Sequence, residues 1–172
     1  MNNSLSISMK IRRPNHCALE HDRRGAATVE FAVIAPIFLI LVLGTWEMGT
    51  AVRASNNLTA AVREGGRLAS MDFTGSLAPN QTANQKVEQD IRAFLNASGL
   101  PGAQATITIT HADGASAGQT FDLGNKNNYL ALFKIRATIP FSNISLFPNK
   151  IMNSSILKAE MVNRRGRVST AS

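Results

Sequence analysis

The sequence predicts an α+β fold, with a long N-terminal helix packed against a second helix and a small antiparallel β-sheet. Three observations carry this expectation. Residues Ala26–Gly44 hold a single charge in 19 positions, residues at helical spacing continue beyond them to about Ser70, and apolar and polar residues alternate in stretches between Thr106 and Val162. The chain has 172 residues, with 18 Lys+Arg against 11 Asp+Glu and 44% apolar residues. That composition excludes a disordered chain, a collagen-like chain and a disulfide scaffold. The lone cysteine, Cys17, precedes the apolar run, and of the three histidines only His111 lies beyond it. No His/Cys zinc site and little histidine-based catalysis fit such an inventory, so neither metal nor cofactor is expected.

The apolar run comes first. Nineteen helical residues span roughly 28 Å, close to the hydrocarbon thickness of a bilayer. From Phe31 to Leu43 no residue is polar, so a helix here has no solvent face. Pro36 would cost a soluble helix about 3 kcal/mol, whereas a membrane segment tolerates it. Lys10, Arg12, Arg13, Arg23 and Arg24 precede the run, and the twenty residues after it hold only Arg53 and Arg63 as cations. The positive-inside bias therefore places the N-terminus in the cytoplasm and the rest of the chain across the membrane. The run is longer than the roughly 7–15 residues of a secretory signal. The small-residue site after it, Gly49-Thr50-Ala51, is weak. A single-span anchor is expected, with Trp46 at its far interface.

Glu30 does not fit a plain anchor. It lies six residues after Arg24, at the cytoplasmic end of the apolar run. A carboxylate in a span costs up to about 2.5–3.5 kcal/mol at the bilayer centre and less near the interface. Two readings stay open from spacing alone: Glu30 reaches back to the headgroups, or it has an intramembrane role.

The run Arg23-Arg24-Gly25-Ala26-Ala27-Thr28-Val29-Glu30-Phe31, followed by a long apolar helix, resembles the class III signal of type IV pilins and pseudopilins. With its Pro36 and the downstream Asn56-Asn57-Leu58-Thr59-Ala60-Ala61-Val62-Arg63-Glu64-Gly65-Gly66-Arg67, it is similar to the TadE-like minor pseudopilins of tight-adherence (Flp-type) pili. The resemblance is specific over residues 23–70 and weak beyond. It implies a pilin-like fold and cleavage between Gly25 and Ala26 by a prepilin peptidase, with Arg23 and Arg24 as leader charge. It also implies that Glu30 and Phe31 act in assembly, Glu30 pairing with the Ala26 ammonium of a neighbouring subunit. The implied division is a leader over 1–25, a transmembrane segment over 26–46 and an extracytoplasmic stem and domain over 47–172.

In the outer part, Met48, Val52, Ser55, Leu58/Thr59, Val62 and Leu68/Ala69 form one face of a stem helix, with Arg53, Arg63 and Glu64 off it. A Gly-, Ser-, Pro- and Asn-rich loop over Asp72–Asn84 follows. Val87, Ile91, Phe94 and Leu95 then mark a second helix ending near Gly99-Leu100-Pro101-Gly102. Ile107 and Ile109 alternate with Thr106, Thr108 and Thr110 as a strand, and Asp113-Gly114 makes a turn. Tyr129, Ala131, Phe133, Ile135, Ala137 and Ile139 share a face opposite Lys134, Arg136 and Thr138, and Pro140 ends that strand. Over 155–162 both strand and helix fit, with Leu157, Ala159 and Met161 inward as a strand. The basic tail Asn163-Arg164-Arg165-Gly166-Arg167 is expected to be a solvated terminus.

The leading functional expectation is a minor pilin or pseudopilin, not an enzyme, in the bacterial inner membrane or incorporated into a pilus for adhesion or biofilm formation. Its expected partners are a prepilin peptidase, other pilins and the inner-membrane assembly platform, and membrane lipid. The alternative is a membrane-anchored periplasmic domain with an enzymatic or sensing role. A nucleophilic triad there would have to use His111, and Asp113 and Asp122 read more simply as turn residues. Binding of nucleic acid is not expected, because no aromatic stacking platform accompanies the basic tail.

Overall fold

The computed structural model describes residues 17–71, 73, 77–145 and 155–166, with side chains described from Gly25 onward. The chain divides into two compact units, Met1–Gly44 and Thr45–Ser172. A single helix, α1 (Cys17–Ala69), contributes to both. In the first unit, α1 is exposed on all sides from Gly25 to Gly44 except at half-buried Ala35. Its most apolar stretch has a mean hydropathy of 2.5, and it is the one helix among the described residues long and apolar enough to cross a membrane. Pro36 sits inside it without ending it.

In the second unit α1 acquires a buried side. Glu47, Ala54, Leu58, Ala61, Val62, Gly65, Gly66 and Ala69 are buried, a three- and four-residue spacing that winds one stripe along the helix. The stripe corrects the expected face at its start. Met48 and Val52 are 61% and 51% exposed, and the inward positions there are Glu47 and, in part, Ala51. Both phases are plausible for a stretch this apolar, and only the packing partner chooses between them.

Helix α2 (Ala83–Ala97) starts where Thr82 closes a capping box with Gln85. The Thr82 hydroxyl accepts from the Gln85 N–H at 3.2 Å, and the Gln85 side chain accepts from the Thr82 N–H at 2.9 Å. Ala83, Val87, Ile91 and Leu95, four apart, form its buried edge. It stops at Ser98, and Gly99 follows at φ +78°, a left-handed conformation that glycine adopts without steric cost.

Three strands follow: β1 (Thr106–His111), β2 (Leu132–Pro140) and β3 (Ile156–Arg164). They form an antiparallel sheet in the order β1-β2-β3. The ambiguous segment is thus a strand, and it runs on to Arg164. Its Leu157, Ala159 and Met161 turn toward the core, as alternation requires. β2 begins later than expected: Tyr129 and Ala131 precede it, and Leu130 between them takes φ +64°. The core lies between the inner sheet face (Ile107, Ile109, Phe133, Ile135, Ala137, Ile139, Ala159) and the buried edges of both helices. The β1–β2 connection folds back into this core through Phe121 and Leu123, which are fully buried. Asn84 pins it: its amide donates to the Phe121 carbonyl at 2.7 Å and its side-chain oxygen accepts from the Leu123 N–H at 2.9 Å.

Close approach explains the Gly65-Gly66 pair. A Cβ on Gly65 would run into the buried Ile91 side chain, and one on Gly66 would come within 2.9 Å of the Met161 sulfur. The small surface of α1 therefore seats α2 on one side and β3 on the other. The far end of α1 is closed by Arg165, whose guanidinium donates to the carbonyls of Ala69 (3.0 Å) and Met71 and lies against the rings of Phe73 and Tyr129. A cation at a helix C-terminus meets the negative end of the dipole. The expected solvated tail is corrected at this residue: Arg165 is 3% exposed. Arg164 is exposed on β3, and Arg167 and residues 1–16 lie outside the described residues.

Candidate functional site

The predicted site residues lie on one stretch of α1 in the first unit. Gly25, Ala26, Glu30 and Phe31 are all helical and exposed, Phe31 at 72%. Arg23 and Arg24 belong to the same helix, upstream of the residues whose side chains are described. Ala26 and Glu30 are four residues apart, so they lie on one face about 6 Å apart along the axis.

Gly25 is the weak point of this stretch. Glycine inside a helix costs about 1 kcal/mol relative to alanine. No heavy atom lies within 4 Å of where its Cβ would be, so nothing in this chain's own packing asks for glycine.

Glu30 is exposed, and no hydrogen bond or ion pair reaches its carboxylate among the described residues. Its surroundings are apolar: Val29, Phe31, Val33 and Ile34 are each more than half exposed. A chain end created at Ala26 would alter this setting in two ways. It would put an ammonium one turn from Glu30, and it would make Glu30 part of the first turns of the helix, where the dipole favours a carboxylate.

One comparison with known proteins decides what kind of segment this is. Residues 25–67 match the family of TadE-like proteins. The TadE-like segment begins at Gly25, so it excludes the basic leader and takes in Glu30, the apolar stretch and the stem as far as Arg67. The match associates the segment with the tight-adherence pilus system, and its apolar helix fits a single-pass membrane anchor. It ends before α2, and the sheet lies wholly outside it. No curated protein and no solved structure matches the chain.

The residues of the alternative reading are also placed. His111 ends β1 with its ring 4.6 Å from that of Phe121. The Asp122 carboxylate accepts from the Gly124 N–H at 2.8 Å, and Asp113 precedes Gly114 at φ +73°, so both serve turns. Among the described residues no three His, Cys, Asp or Glu side chains come together as metal ligands. Two buried charges escaped sequence reasoning. Arg165 is one, and Glu47 is the other, 6% exposed and accepting a hydrogen bond from the Ser145 hydroxyl. The signal for Glu47 was its place on the stripe that continues through Ala51, Ala54 and Leu58.

Proposed function

We propose that the chain is a minor pilin or pseudopilin that takes part in assembly of a tight-adherence (Flp-type) type IV pilus used in adhesion or biofilm formation. The observation that carries this reading is the TadE-like match that starts at Gly25 and holds Glu30 five residues on, at the head of an apolar stretch whose large side chains are exposed. The leader's positive charge keeps the N-terminus cytoplasmic and the Thr45–Ser172 unit periplasmic. A prepilin peptidase cuts between Gly25 and Ala26, removing five of the 18 basic residues. The new Ala26 ammonium then pairs with Glu30 of an adjacent pilin. In a medium poor in water, leaving one member of such a pair alone costs about 3–5 kcal/mol, which favours one register between neighbouring helices. The exposed apolar side chains exchange lipid contacts for contacts with other helices, at the assembly platform or in the fibre. On this reading the chain acts by assembly and catalyses no reaction.

Intact-mass measurement of the membrane-extracted protein tests the first step. Co-expression with a prepilin peptidase is expected to remove 25 residues, and Gly25→Leu to prevent it. Recovery of the full-length chain alone, or a cut beyond Thr45, overturns the proposal.

A further inference from the structure

The sheet has an outer face that neither the helices nor the proposed assembly chemistry uses. Alternation turns Thr106, Thr108 and Thr110 of β1, Lys134, Arg136 and Thr138 of β2, and Lys158, Glu160, Val162 and Arg164 of β3 away from the core. Four cations and one acid share this face. Glu160 is engaged by Arg136 at 2.7 Å, across the register pair that joins them. Lys134, Lys158 and Arg164 have no acidic partner among the described residues.

The register sets the cations in sequence. Arg164 stands opposite Leu132, Lys134 opposite Val162, Arg136 opposite Glu160 and Lys158 opposite Thr138. Each successive level of this face thus carries one cation, the outer two (Arg164 and Lys158) from β3 and the inner two (Lys134 and Arg136) from β2. Levels two residues apart lie about 7 Å from each other, so the four cover about 20 Å. Beside them run hydroxyls: Thr110 pairs with Lys134, Thr108 with Arg136 and Thr106 with Thr138.

We propose that this face binds a linear acidic polysaccharide, with the cations meeting its carboxylates and the threonines its hydroxyl groups. Charge complementarity calls for a repeating anion spread along a line, as the cations are. Two features choose among polyanions. The face has no aromatic residue on which the bases of a single-stranded nucleic acid could stack. Its exposed apolar residues, Ile156 and Val162, are six residues apart on β3, about 20 Å, so among the described residues this face has no apolar patch to enter a lipid surface. Hydroxyl ladders beside cations suit a ligand made of sugar. The proposal is independent of leader cleavage and of the pilus reading.

The test uses the full chain in neutral detergent micelles. The probe is oligogalacturonate, with neutral dextran and oligo(dT) of matched charge as comparisons. Salt-sensitive binding of oligogalacturonate is expected, weakened about tenfold by Lys134→Ala/Lys158→Ala together. Arg63→Ala, exposed on α1, which packs on the opposite side of the sheet, is expected to leave it unchanged. Thr108→Val is expected to weaken the sugar acid more than oligo(dT), since only the former uses the hydroxyl. Absence of oligogalacturonate binding overturns the proposal, as does binding untouched by the double substitution. Equal affinity for oligo(dT) would show a surface selective for charge alone, and would overturn the assignment to polysaccharide.

Discussion

At the scale of single residues, Glu30 and Arg165 are charges in opposite situations. Glu30 is exposed in an apolar stretch, so its value depends on another molecule. Glu30→Ala and Glu30→Gln are both expected to insert normally, since removing the charge eases insertion, and to be cleaved after Gly25 nearly as wild type. If the chain assembles as proposed, both are expected to lose crosslinks to neighbouring subunits, because the amide keeps the shape but not the charge. Wild-type crosslinking in both variants would remove the carboxylate from assembly. Arg165 instead holds the carbonyls of Ala69 and Met71 inside one subunit. Arg165→Met leaves these groups without their donor and is expected to lower stability by about 2–4 kcal/mol, measured by urea unfolding. Arg165→Lys restores the charge without the planar fork, and recovers only part of the loss.

At the scale of elements, α1 depends on small residues and α2 on its cap. Gly65→Ala pushes a methyl into Ile91, which is 1% exposed and cannot move aside. A loss of about 1–3 kcal/mol is expected, partly recovered when Ile91→Val trims the facing side chain. Thr82→Ala removes the hydroxyl of the capping box and is expected to cost about 1 kcal/mol. The exposed face of α1 carries Glu64, whose carboxyl is held below its ordinary value by the Arg67 hydrogen bond and, less strongly, by that cation's charge. A depressed carboxyl stabilises above its ordinary value and loses that contribution as pH falls through its folded value. The wild type is therefore expected to lose its small advantage over Glu64→Gln as pH drops below 4.5, and also as salt rises. The periodicity of Val87, Ile91 and Leu95 and the alternation around Phe133 and Ile135 made these elements legible in the sequence. The phase of α1 near Met48 and Val52 was not, because there the apolar side chains face outward and a charged one, Glu47, takes the inward position.

At the scale of the whole molecule, the two units differ in what could have been read beforehand. The likeness of residues 25–67 to TadE-like proteins was legible because its signal is local: a charge, a glycine and an apolar run at fixed spacing. The closure of the second unit was not, because it joins residues distant in the chain. Nothing near Arg165 in sequence announces Ala69, and nothing near Glu47 announces Ser145. That long-range contact also sets where the folded unit can be cut. A fragment of residues 45–172 is expected to unfold in one cooperative thermal transition, and a fragment of residues 48–172, which lacks Glu47, at a lower temperature. Equal transitions in the two fragments would show that the Glu47–Ser145 contact adds no stability.

The Arg165 clasp has a consequence for biosynthesis. The α1 carbonyl that it satisfies, that of Ala69, was made 96 residues earlier. At roughly 5–20 residues per second, the ribosome takes about 5–20 s to travel from one to the other. Throughout that interval the end of the stem is without its donor, and the sheet that packs on it is incomplete. The contact cannot form before Arg165 has been added, so this end of the stem closes late, after both the helix and the strands that flank it have been made.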